Sequence, residues 1–174
     1  MTENKVYSSV DIAACFFQKF GKNKMPFDKQ KHQHLLFLAQ MHYLLKNKKL
    51  LFPAFFVCEK NSLYEPAVAK VMQLGFPMFS SSTISEKDNT FLDLIWQKYA
   101  QASTSELNSL VSNFCNFAEI VDGSIINPLE VISSFNELLQ NCKDKTSAAK
   151  SKIMLSQNGP VRVTEWKPRK ISTN

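Results

Sequence analysis

The stretch HQHLLFLAQMHYLL, residues 32–45, is apolar on nearly every side from Leu35 to Met41. A helix with one apolar stripe can lie on a surface, but a helix apolar all round has to be enclosed by its neighbours. The pattern predicts a helix from Phe27 or Asp28 to Lys46 at the centre of the core, with the rest of the chain built around it.

All three histidines of the chain lie in this stretch. A metal pair on a helix needs imidazoles three or four residues apart, on one face. His32 and His34 point about 200° apart, and His34 and His42 stand roughly 12 Å apart along the axis. No Asp or Glu lies between them. They are expected as surface or helix-flanking rings that hydrogen-bond. Neither a metal nor a cofactor is expected.

The flanking segments supply the shell. Ile12, Phe16 and Phe20 repeat at four-residue spacing, giving a short helix that Gly21 is expected to stop. Pro53 interrupts KNKKLLFPAFFVCEKN, which reads as an extended crossing with a short β element near 54–58; a second is expected near 124–126. Pro66 suits the first turn of a helix ending at Gly75. Residues 77–89 read as a polar loop. Thr90 with Asp93 and Ser103 with Glu106 are candidate capping boxes for two more helices. Behind the second, Leu107, Leu110, Val111, Phe114 and Ala118 form a buried stripe. Asn127, Pro128 and Glu130 open a last helix, with Leu129, Ile132, Phe135, Leu138 and Leu139 as its apolar face. Fourteen Phe against four Gly fit helices packed through aromatics better than a turn-rich β protein.

The net charge of +6 is unevenly placed. Residues 143–174 hold eight Lys or Arg against two acids, while residues 1–142 hold thirteen of each. The expected organisation is a single compact domain over 6–142, mostly α with five to six helices, and a disordered basic tail over 143–174. Within the tail, Trp166 sits among Arg162, Lys167 and Arg169, and an aromatic flanked by bases can stack on a nucleobase or anchor a protein interface.

Catalytic signatures are missing from the sequence: it has no GxSxG, no Gly-rich phosphate loop and no HExxH. Cys15, Cys58, Cys115 and Cys142 form no CxxC pair and read as buried free thiols in a reducing cytosol. No apolar run approaches the roughly 20 residues of a membrane span. The N-terminus lacks a signal-peptide layout, so a cytoplasmic protein that is not an enzyme is expected.

The run FDKQKHQHLLFLAQMHYLLKNKKLLF resembles the signature of the Panacea antitoxin domain, a family overlapping the SocA-like and GepA-like phage-associated proteins. The family's leucine–glutamine–lysine–leucine–leucine–tyrosine–phenylalanine–alanine–glutamine core stands here as His32-Gln33-His34-Leu35-Leu36-Phe37-Leu38-Ala39-Gln40. The resemblance continues through Trp96, Tyr99, Ser105, Glu106, Leu107 and Leu110, and ends in SIINPLEVISSF, covering residues 7–140. The family's tyrosine–glycine–proline–valine motif is absent from Asn61-Ser62-Leu63-Tyr64, with Pro66 and Val68 its only echo, which marks a divergent member. The resemblance implies a binding module: an antitoxin that neutralises a toxin by direct contact, or an adaptor delivering it to a protease. Expected contact residues are Asn61, Tyr64 and Glu65, the loop 77–89, and Arg162, Trp166, Lys167 and Arg169 in the tail.

Two other readings rest on the tail. As a basic transfer signal of the type IV secretion kind, it would make this an exported bacterial effector, acting on a host protein and secreted without a cleaved signal peptide. As a polycation, it would bind nucleic acid with an affinity that falls steeply with salt.

Overall fold

The computed structural model describes residues 6–75, 84–147, 151–156 and 159–164. The chain divides into two compact units, residues 1–133 and 134–174, and the division falls inside the last helix.

Helix α1 (Ser9–Lys22) opens on a capping box between Ser8 and Asp11. It runs through Gly21 rather than stopping there, because Lys24 at φ 52° and Asn23 absorb the chain reversal instead. Helix α2 (Lys29–Asn47) is capped by Asp28, whose carboxylate accepts from Lys31 N at 2.9 Å, and closes on Lys48 in the left-handed region. From His32 to Met41 every α2 residue is buried. That enclosure is what its all-round apolarity required: α1, helix α4 (Glu86–Tyr99), helix α5 (Thr104–Ser112) and strand β2 (Ser62–Tyr64) all pack against it. Phe16, Phe20, Leu35, Leu36, Phe37, Phe56, Leu92 and Leu107 are almost wholly removed from water, each burial contributing roughly 1.5–3 kcal/mol.

Strand β1 (Phe56–Glu59) lies between β2 and β3 (Ile125–Ile126) in an antiparallel sheet. Both expected β elements are present; β2 was not anticipated. Its hairpin was hidden because Lys60 and Asn61, at φ 50° and 59°, make the turn where asparagine–glycine is the usual signal. Helix α3 (Pro66–Leu74) starts at its proline as expected and packs on α1.

Further expectations change. Helix α4 is capped by Ser85, which accepts from Asp88 N, so residues 86–89 are helical. Thr90 is interior and donates to Glu86 O at 2.8 Å; it forms no cap with Asp93. The Ser103–Glu106 box does form. Helix α5 ends at Ser112, however: Cys115 and Phe117 enter the core, Phe114 packs on it against Phe37, and Ala118 is exposed. Helix α6 (Pro128–Ser147) begins as Asn127 accepts from Leu129 N; Val131 and Ile132 pack on the core, and Leu129 is exposed. In the second unit, β4 (Ser151–Ser156) and β5 (Gly159–Thr164) pair antiparallel, where the lack of helical periodicity had suggested no regular structure.

Candidate functional site

A groove of about 600 Å³ lies between the first turns of α2, the β1–β2 hairpin and α3. Lys29, Gln30 and Gln33 form one wall, Glu59, Lys60 and Ser62 to Tyr64 the second, and Ala69, Met72 and Gln73 the third.

The wall of α2 is held by polar side chains that the sequence pattern left at core positions. Gln33 accepts from Glu65 N at 2.9 Å and donates to Glu65 O at 3.5 Å, so its amide stands in for a neighbouring strand. Gln40, seven residues on, does the same for Leu51 and Phe52, donating to Phe52 O at 2.8 Å. The imidazoles of His32 and His34 are fully buried, not at the surface or a helix flank. His32 Nε2 donates to Ala13 O at 2.7 Å, tying α2 to α1. Burial of the ring holds its pKa down at about 4.

His34 Nε2 meets Ser62 Oγ at 2.9 Å, and Gln30 donates to the same hydroxyl at 3.0 Å. Burial lowers the His34 pKa to about 4, against the partial support of the Asp28 carboxylate and the Asn108 side chain. A serine bonded to an imidazole has the geometry of an activated nucleophile. Here the imidazole is a weak proton acceptor, the hydroxyl already accepts a bond from Gln30, and Ser62 is only 8% exposed. The pair is arranged to lock β2 onto α2. His42, half-buried, pairs through Nε2 with Tyr99 OH at 2.6 Å. Among the described residues no group of three or more His, Cys, Asp or Glu could hold a metal ion.

β2 is an edge strand. Cys58, opposite Leu63, uses its N–H and C=O on Ser124 and Gly123, away from β2. The alternation of an antiparallel ladder therefore turns the N–H and C=O of Leu63 away from β1, the side on which Gln33 meets Glu65. The turn at the rim is braced twice: Lys60 N donates to Asp122 Oδ1 at 3.0 Å, and Asn108 Nδ2 donates to Asn61 O at 3.2 Å.

Of the expected contact residues, Tyr64 lines this groove and Asn61 is exposed at its rim. Glu65 is a correction. It is 5% exposed, and its carboxylate accepts from Val68 N at 2.6 Å to cap α3, so it faces inward. Arg162 stands on β5 opposite Ile153. Trp166, Lys167, Arg169 and residues 77–83 lie outside the described residues. Lys29, Gln30, Met72 and Gln73 were not anticipated, and no pattern in the sequence marks them, since each belongs to an ordinary helical surface. Cys15, Cys58 and Cys115 are free and buried, and burial raises each thiol pKa.

These features define a helical domain with a small antiparallel sheet whose edge strand walls an open groove. Compared with family models, with curated proteins and with solved structures, the chain gives no match. No helix among the described residues is long and apolar enough to cross a membrane.

Proposed function

We propose that this chain is a non-catalytic protein-binding module of the antitoxin kind, neutralising a partner by taking an extended segment of it into the groove beside β2. The observation that supports this reading is an edge strand, β2, whose Leu63 backbone is turned away from β1 and which walls a groove of about 600 Å³ with Ser62, Leu63 and Tyr64. An edge strand recognises an extended chain through main-chain bonds, and flanking pockets select its side chains. Tyr64 and Met72 offer apolar contact, while Lys29, Lys60 and Glu59 bring charge of both signs to the walls. The resemblance to the Panacea family and the weak basicity of His34 point the same way, to surface complementarity rather than turnover.

Co-expression with the product of the adjacent reading frame tests it. The expected result is suppressed toxicity and a complex that co-purifies with the intact chain. Tyr64→Ala combined with Lys60→Glu should abolish both while leaving the far-UV circular dichroism unchanged. Undiminished neutralisation by a folded double variant, or no complex with the intact chain, sinks the reading.

A further inference from the structure

A second surface, sharing no residue with the groove, lies at the other end of α2 and on α4. The C-terminal half of α2 and the middle of α4 enclose two adjoining depressions, of about 260 and 380 Å³, which share Lys46, Phe91 and Leu94. Leu94 is 55% exposed, against the usual fate of leucine on a core-facing helix, and Phe91 is half-buried beside it. Lys46, Lys87 and Lys98 stand exposed around this floor. The one carboxylate lining either depression among the described residues, Asp88, is fully engaged. Its Oδ1 accepts from Tyr43 OH at 3.1 Å, and its Oδ2 from Tyr7 OH at 3.0 Å and Ser85 Oγ at 2.8 Å. What is left facing out is apolar at the centre and positive at the edge.

We propose that this face docks an acidic amphipathic segment of a protein partner, with its apolar side chains on Phe91 and Leu94 and its carboxylates against Lys46, Lys87 and Lys98. The sign of the rim selects the occupant. The chain's own residues 143–174, with eight bases against two acids, carry the wrong charge. A second copy has no acidic excess to offer, because residues 1–142 are balanced. The apolar part is concave, which suits inserted side chains; a membrane-seeking helix needs a protruding apolar row. Three lysines would neutralise few phosphates, too few for firm hold on nucleic acid. The proposal does not rest on the groove reading, and the substitutions that test the two share no residue.

The test is a titration of the full chain with a fluorescent peptide carrying Leu and Phe at helical spacing on one face and Glu on the other. A scrambled peptide, anionic phospholipid vesicles and single-stranded DNA serve as competitors. Binding of the ordered peptide is expected, weakened about tenfold by Leu94→Asp and by the triple change Lys46→Glu, Lys87→Glu, Lys98→Glu, and weakened again by salt. Both variants replace exposed side chains, and their folding is checked by circular dichroism. No binding, equal binding by the folded variants or by the scrambled peptide, or preferential capture of vesicles or DNA at this face overturns the proposal.

Discussion

Four polar side chains sit inside the core on α2, and each is there because a specific backbone or hydroxyl group meets it: His32 on Ala13, Gln33 on Glu65, His34 on Ser62 and Gln40 on Phe52. A buried polar group without such a partner would cost about 1–3 kcal/mol, so these bonds orient the segments around the helix. The two buried imidazoles make stability depend on pH, with a definite sign. Both have folded pKa values near 4, below the ordinary 6.5. Above pH 6.5 neither the folded nor the unfolded chain holds the extra protons. As pH falls below that, the unfolded chain binds them and the fold does not, so stability is lost until pH reaches about 4. Between those limits the loss should approach roughly 1.4 kcal/mol per pH unit for each ring. Urea unfolding at pH 7.5, 6 and 5 measures it, with His34→Gln expected to remove the share of the slope that this ring supplies, beside those of His32 and the likewise lowered His42. A midpoint that does not move across this range would show that the rings are not held neutral.

At the scale of elements, boundaries with a side-chain signature could be read and boundaries without one could not. Ser103 with Glu106, Asn127 before Pro128, and Pro66 mark helix starts because the capping bond is local to the sequence. Ser85 with Asp88 and Thr90 with Asp93 carry the same capping pattern about one and a half turns apart, and packing of α4 on α2 decides between them. The β1–β2 turn shows the other limit. Lys60 adopts φ 50° without the help of glycine, and the turn is held by the bond that Lys60 N donates to Asp122 and the one that Asn108 donates to Asn61 O, from residues distant in sequence. Relieving that local conflict should stabilise the hairpin: Lys60→Asn with Asn61→Gly gives the preferred turn pair. A gain of about 0.5–1 kcal/mol in thermal or urea unfolding is expected. A loss instead would mean that the Lys60 side chain contributes more than its backbone strain subtracts.

For the whole molecule, the central helix was legible because enclosure leaves its mark on every side of a single segment. The groove was not legible, because its walls come from residues 29–33, 59–64 and 69–73, each of which reads alone as an ordinary surface. Charge is the other property that belongs to the whole chain, and it separates cleanly: the excess of +6 lies entirely in residues 143–174. Among the described side chains, the core cluster runs from Tyr7 to Ile132. Removing 143–174 should leave the unfolding free energy of the first unit within about 0.5 kcal/mol, the range of a change outside that cluster. It should also leave neutralisation through the groove intact. The same deletion should abolish any binding to single-stranded DNA, whose salt dependence in the full chain scales with the number of phosphates neutralised. With thirteen bases and thirteen acids left, the shortened chain should be less soluble near neutral pH, since no net charge then keeps copies apart. If the deletion instead lowers the unfolding free energy by several kcal/mol, the C-terminal segment shares in the core, and balanced charge is not what sets the behaviour of residues 1–142.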